Sequence, residues 1–215
     1  MNTDCKKNEI PALEALNRLR EGNRRYALDL TENESVSGRM KRYELADGQQ
    51  PFAIILGCSD SRVPVELIFD QGLGDLFVIR VAGNIVAPSQ IGSVEFAASQ
   101  FGTQLVVVLG HSKCGAIQAT LDEIRRPTEN QSKNLKSIVN RIGPALSDLV
   151  NEHSPAPTDE VFEQAVRANI RSSVYHLSHG SEIIETMQKD GELLVVGAEY
   201  NLKTGRVEFF DLDED

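Results

Sequence analysis

Two short segments place thiol and imidazole groups at the ends of apolar runs. Cys58 follows the run "AIILG", and His111 follows the run "QLVVVLG", with Cys114 three residues further on. Two thiolates and one imidazole are a common ligand set for zinc, and catalytic zinc sites typically combine three protein ligands with an open fourth position. Thiolate and imidazole together also favour zinc over magnesium or calcium. The pattern predicts a metal site formed by Cys58, His111 and Cys114; it does not fix the metal, although the ligand types favour zinc.

These residues also have plainer interpretations. A lone cysteine after a strand is more often a small buried residue, and a histidine at a strand end often bonds only to the backbone. Cys58 and Cys114 could form a redox disulfide, but they are not a C-x-x-C pair and His111 would then have no role. Cys5 could in principle complete a closed structural site, yet its lysine-rich polar segment is typical of a bystander. The remaining histidines, at positions 153, 176 and 179, belong to no ligand cluster.

The elements that would position these ligands alternate between strands and helices. Four apolar segments rich in valine and isoleucine predict strands that are covered on both faces, and hence a mainly parallel sheet. They are residues 51–57, 75–83, 104–110 and 192–200. Residues 88–102 and 114–126 predict helices after the second and third strands, which is typical of an α/β domain. Sites in open α/β sheets lie beyond the carboxyl ends of the strands. The three ligands therefore meet if the first and third strands are neighbours.

The rest of the chain adds helices and one edge strand. Residues 11–30 predict an N-terminal helical arm, residues 133–152 and 159–189 predict further helices, and residues 205–213 predict an edge strand near the C-terminus. We therefore expect an α/β fold with a mainly parallel central sheet flanked by helices. A chain of 215 residues suits one domain. That domain would span 1–215, with the arm at about 10–30, the metal-site core at about 51–120 and the C-terminal helices and strands at about 130–215.

The composition limits the classes of partner and compartment. Acidic residues outnumber basic ones by 32 to 22, and the resulting charge of −10 disfavours nucleic acid and anionic membrane surfaces as partners. No apolar run approaches the ~20 residues that cross a bilayer, and the first residues show no signal-peptide pattern. Three cysteines, an odd number, do not make a disulfide framework. We expect a cytoplasmic protein.

Five motifs of this sequence, in this order, resemble those of β-class carbonic anhydrases. They are "LREGNRRY" (19–26), "CSDSRV" (58–63), "GDLFVIRVAGN" (74–84), "SVEFA" (93–97) and "GHSKCGA" (110–116). The resemblance implies that Cys58, His111 and Cys114 bind one zinc ion per chain and that Asp60 and Arg62 form a catalytic pair. It also implies reversible hydration of carbon dioxide to bicarbonate and a proton. The expected assembly is a homodimer or a multiple of dimers, such as a tetramer, with active sites near the subunit interface.

Asp60 and Arg62 would have complementary roles in that reaction. Two thiolates neutralise the zinc dication, so bound water should be acidified less than at an all-histidine site. A carboxylate that accepts a hydrogen bond from zinc-bound hydroxide would orient the oxygen lone pair toward carbon dioxide. Arg62 would hold Asp60 off the metal through paired hydrogen bonds. The plainer alternative is a surface ion pair, which contributes little energy.

The resemblance also implies which residues contact the substrate. Gln49 corresponds to a side-chain donor, with Gln50 as its rival. Three apolar residues match positions that line the family's pocket: Phe77, Ala82 and Phe96. Both phenylalanines could equally be core aromatics. The backbone N–H of Gly115 would face a substrate oxygen, because glycine permits close approach.

Two questions about function stay open at this point. Some bacterial relatives are inhibited by bicarbonate bound to a tryptophan, an arginine and a tyrosine; here Ile55 replaces the tryptophan, while Arg80 and Tyr200 match the others. The replacement favours the plant-type, non-allosteric branch. Alternative functions are a carbon disulfide hydrolase with the same ligand set and a non-catalytic module that binds zinc or bicarbonate. The intact Asp60–Arg62 pair argues against the second alternative.

Overall fold

The computed structural model describes residues 10–31, 38–128 and 132–210. The strands of these residues are β1 Ala53–Gly57, β2 Leu76–Arg80, β3 Leu105–His111, β4 Leu194–Tyr200 and β5 Val207–Phe210. They form one sheet in the order β2-β1-β3-β4-β5. β1 to β4 run parallel, and β5 is antiparallel to β4. The expected mainly parallel sheet with an edge strand near the C-terminus is confirmed.

Helices cover this sheet and include the predicted N-terminal one. Over the described residues they are α1 Ala12–Ala27, α2 Arg39–Glu44, α3 Val65–Ile68, α4 Pro88–Phe101, α5 Gly115–Arg125, α6 Lys133–Leu146, α7 Asp159–His179 and α8 Glu182–Lys189. None of these helices has the length and apolarity that a membrane span requires. The α/β class predicted from the strand–helix alternation is therefore confirmed.

The observed helices and strands are shorter than predicted at several ends, and two of the differences have identifiable reasons. The predicted helix over 159–189 is divided after α7, because Ser181 starts a new helix by accepting a hydrogen bond from the N–H of Ile184. The predicted strand over 75–83 ends early, at Arg80. Beyond it, Gly83 adopts a φ of 72°, a left-handed conformation that glycine reaches without strain, and the chain turns across the end of β1.

Side chains of the central strands alternate between two apolar layers. Ile54 and Leu56 of β1 belong to the layer formed with α4 to α8, whereas Ala53 and Ile55 belong to the layer formed with α1 and α3. All four residues are completely buried. Because both faces are covered, the strands appear in the sequence as continuous apolar runs. Each buried leucine or isoleucine contributes about 1.5–3 kcal/mol relative to an exposed one.

Hydrogen bonds of the Asn23 side chain connect α1 to α3 and to the start of β5. Its Nδ2 donates to the carbonyl oxygens of Ile68 at 3.1 Å and Gly205 at 2.9 Å, and its Oδ1 accepts from the N–H of Val207 at 2.8 Å. Asn23 is 5% exposed, so its hydrogen-bonding groups are satisfied inside the protein. The N-terminal helix is thus part of the layer that supports β1 and β3.

Candidate metal centre

The carboxyl ends of β1 and β3 bring the three predicted ligands together. β1 and β3 are adjacent, with Gly57 in register with Leu109. Cys58 follows β1, His111 ends β3, and Cys114 precedes the first residue of α5. The Sγ atoms and a ring nitrogen of His111 all lie within 4.8 Å of one another, and all three residues are buried. Cys5 lies outside the described residues.

The imidazole of His111 is oriented for a ligand role. Its Nδ1 lies 3.0 Å from the carbonyl oxygen of Ser112, and because a carbonyl only accepts, Nδ1 carries the proton. The lone pair is therefore on Nε2, which is buried and has no hydrogen-bond partner among the described residues. Buried nitrogens are rarely left unpaired, and metal-binding histidines commonly donate their other N–H to a carbonyl. A metal ion fits this donor.

Hydrogen bonds between the two thiols and from backbone N–H groups shift the pKa values of the thiols and favour a thiolate that can bind a cation. A hydrogen bond from Cys114 is the main reason that the pKa of Cys58 falls to about 4, and the N–H of Gly83 adds to the effect. The Gly83 nitrogen lies 3.4 Å from the Cys58 Sγ. The pKa of Cys114 is raised, because its proton is held against Cys58 and because it is buried. The pair thus carries one negative charge, and a dication that displaces the remaining proton gains two thiolates.

Asp60 lies beside this cluster in a bidentate pair with Arg62. The Arg62 Nε donates to Oδ1 at 2.9 Å, its Nη2 donates to Oδ2 at 2.7 Å, and its backbone N–H donates to Oδ1 at 2.9 Å. These bonds hold the pKa of Asp60 well below its usual range, with the Arg62 side chain as the largest cause. The Oδ2 atom is 3.9 Å from the Nε2 of His111. The site therefore contains an ionised carboxylate that can only accept hydrogen bonds.

The segment between His111 and Cys114 is fixed on both sides. The N–H of Ser112 donates to the carbonyl oxygen of Tyr200 at 2.9 Å, and the Ser112 hydroxyl accepts from the N–H of Leu202 at 3.0 Å. The carbonyl oxygen of Lys113 accepts from Arg62 at 3.3 Å. Ser112 and Lys113 are thus supports that ligand spacing did not reveal, although both stand inside the motif "HSKC".

Comparison with known proteins agrees with this geometry. Residues 53–207 match the family model described as carbonic anhydrase. The chain belongs to the β-carbonic anhydrase family. It is 38% identical over 188 residues to carbonic anhydrase 2 of Mycobacterium tuberculosis, a match that covers 87% of each chain. This β-carbonic anhydrase is therefore an enzyme of the class that the motifs predicted.

Solved structures of β-carbonic anhydrases share its fold. The β-carbonic anhydrase CcaA is 27% identical, with a TM-score of 0.68, over 93% of this chain and 86% of CcaA. A chain from the crystal structures of two tetrameric β-carbonic anhydrases of Sordaria macrospora is 23% identical to this chain, with a TM-score of 0.68. The match covers 79% of this chain and 85% of the Sordaria macrospora chain. The likeness to the Sordaria macrospora chain shows the fold alone.

Two of the predicted substrate-contacting residues lie next to the ligands of this β-carbonic anhydrase. Ala82 precedes Gly83, whose N–H contacts the Cys58 sulfur. Gly115 follows Cys114 at the start of α5, and a Cβ at this glycine would meet no atom within 4 Å. Gly115 therefore faces open space beside the candidate metal ligands.

The other predicted contact residues lie elsewhere in the same chain. Gln49 and its rival Gln50 precede β1, at the end of the sheet opposite to Cys58, where both line a surface cavity with Leu73. Phe77 packs against Phe96, with ring centroids 6.2 Å apart, and Phe96 is 52% exposed. Phe77 also precedes Arg80 by three strand residues, about 10 Å along β2. The structure of one chain does not bring Gln49, Phe77 or Phe96 to its own ligands.

The three positions that correspond to the bicarbonate site of some relatives make contacts within the chain. Ile55 is completely buried in β1. The hydroxyl of Tyr200 lies 3.2 Å from the hydroxyl of Tyr26. Two guanidinium nitrogens of Arg80 donate to backbone carbonyl oxygens of the turn after β1. The preference for the non-allosteric branch stays a prediction.

Proposed function

We propose that this β-carbonic anhydrase interconverts carbon dioxide and bicarbonate with one zinc ion held by Cys58, His111 and Cys114. The observation that carries the proposal is the buried, unpartnered Nε2 of His111, which lies close to two thiols and to the Asp60 carboxylate. Zinc bound there would supply the Lewis acidity that makes water a nucleophile near neutral pH. Membership of the carbonic anhydrase family supports this substrate.

Asp60 orients the attacking water in this proposal. Because it is ionised, its carboxylate can only accept a hydrogen bond, and the water that donates to it is left with a lone pair directed at the carbon of the substrate. Arg62 keeps the carboxylate in place with its guanidinium fork. The same fork prevents Asp60 from joining the three ligands and closing the site. The pair thus accounts for both an oriented nucleophile and an open position.

The remaining contacts with the substrate are divided between two copies of the chain. Ala82 and the backbone N–H of Gly115 lie beside the ligands and serve the site of their own chain. Gln49, Phe77 and Phe96 lie too far from those ligands, so we assign them to the site of a second copy. Phe96 is exposed, and β2 is an edge strand of the sheet formed by the described residues; both observations support an interface at this place. The assembly would be a dimer or a multiple of dimers; the Sordaria macrospora enzymes are tetrameric.

A cytoplasmic location is the remaining part of the proposal. Cys58 and Cys114 are free thiols in the structure. A site that needs two free cysteines is compatible with a reducing compartment, where thiols persist.

Stopped-flow measurement of carbon dioxide hydration across pH, with zinc content determined on the same samples, tests this function. We expect one zinc ion per chain and activity that increases with pH. Full activity in the metal-free protein would contradict the proposal. Parallel assays with carbon disulfide identify the rival hydrolase, and zinc binding without turnover of either substrate identifies a binding module.

A further inference from the structure

The side chain of Arg80 crosses from the end of β2 to the turn that follows β1. Its Nε donates to the carbonyl oxygen of Cys58 at 2.9 Å, and its Nη2 donates to the carbonyl oxygen of Asp60 at 2.6 Å. Cys58 supplies one thiol of the metal centre, and Asp60 supplies the carboxylate beside it. One guanidinium therefore holds the backbone at two functional residues.

These contacts begin where the pairing of the strands ends. The parallel register of β1 and β2 stops at Gly57 and Arg80. Beyond it, the N–H of Val81 donates to the carbonyl oxygen of Gly57 at 3.1 Å, and the N–H of Val63 closes the turn onto the carbonyl oxygen of Asp60 at 3.0 Å. The side-chain hydrogen bonds of Arg80 thus connect β2 to the residues that follow β1, beyond the end of the strand pairing.

We propose that Arg80 is a positioning residue of the metal centre, which sets the separation between the Cys58 thiol and the Asp60 carboxylate by holding both carbonyl oxygens. Its effect on turnover rests on the proposed function, whereas its effect on the ligand geometry does not. A planar guanidinium can bond to two carbonyls in one fixed arrangement, but a lysine ammonium is a point donor. Misplacement of a reacting group by about 1 Å can cost on the order of 10²-fold in rate.

The test compares the wild-type protein with R80Q, R80K and R125Q in the full chain. Arg125 is the matched control, because its Nε also donates to a backbone carbonyl, that of Ser154 at 3.2 Å, at the end of α5 far from the ligands. Each protein is loaded with cobalt(II), whose visible absorption reports the geometry of thiolate and imidazole ligands. Cobalt affinity against a chelator, thermal unfolding, and kcat and KM of the zinc form are measured on the same preparations.

We expect R80Q to remain folded and to show shifted cobalt bands. Its cobalt affinity or its kcat should fall about 10- to 100-fold, as is typical when a residue that supports a metal ligand is removed. R80K should recover part of the loss, and R125Q should match the wild type. An R80Q protein with wild-type cobalt bands and a kcat within about twofold of the wild type would overturn the proposal. So would equal losses in R80Q and R125Q that follow their thermal stability. If the wild type itself does not hydrate carbon dioxide, the proposed function fails, and the cobalt spectra still decide the role of Arg80.

Discussion

Replacement of Asp60 by asparagine removes the carboxylate charge with almost no change in size. Asp60 now accepts three hydrogen bonds from Arg62, at 2.9, 2.9 and 2.7 Å. Asparagine has one acceptor oxygen, and its NH₂ group would face a guanidinium donor, so at least one of these bonds is lost. A positioned acid–base group typically contributes about 10²- to 10⁴-fold to a rate. We therefore expect kcat to fall by that factor, about 2.7–5.4 kcal/mol of activation free energy.

The assay is stopped-flow hydration of carbon dioxide at saturating substrate, with zinc content measured for each sample. The pKa of Asp60 lies well below its usual range because of Arg62, so the wild-type carboxylate is ionised throughout neutral and alkaline pH. The loss in D60N should therefore be constant between about pH 7 and 9. E208Q is the control, since Glu208 pairs with Arg167 at 2.5 Å on the edge strand. Wild-type kcat in fully loaded D60N, or a loss that follows zinc content, would refute the reasoning.

Three further predictions concern the thiols and the support of the sheet. The pKa of Cys58 is about 4 and that of Cys114 is raised, so the binding of a metal ion at pH 7 should displace roughly one proton from the two thiols. A pH indicator in weak buffer measures this release, and the displacement of two protons would contradict a single shared proton. N23A should lower the free energy of unfolding by about 1–3 kcal/mol in urea titrations, because one buried and two partly buried backbone groups lose their partner; unchanged stability would be inconsistent with that role. C5S should keep both zinc and activity, whereas loss of zinc would make Cys5 a fourth ligand.

The convergence of the metal ligands could be predicted because it depends on strand topology alone. Continuous apolar runs indicated parallel strands, and parallel neighbours end at the same edge of a sheet. Cys58 and His111 each follow such a run, so their meeting required only that β1 and β3 be adjacent, as they are. Cys114 then follows from its short distance along the chain.

The role of Arg80 could not be predicted in this way, because it depends on register. Its side chain reaches the Cys58 and Asp60 carbonyls only because Arg80 is paired with Gly57. No spacing along the chain encodes that pairing. Gln49 shows that nearness in sequence can also be misleading. It precedes Cys58 by only nine residues, but β1 lies between them, so the two residues are at opposite ends of the sheet. Proximity in sequence therefore misleads wherever a strand intervenes.

The attachment of Ser112 to the end of β4 has a consequence for biosynthesis. Ser112 orients the His111 ring with its carbonyl, but its own N–H and hydroxyl are held by Tyr200 and by Leu202, which lies 90 residues further along the chain. A nascent chain therefore possesses both thiols long before its imidazole has a fixed orientation. A metal ion captured at that stage would meet two sulfurs and a mobile ring. The complete set of three ligands therefore forms only after residues 200–202 have been synthesised and have folded, so we expect zinc to be acquired after that stage.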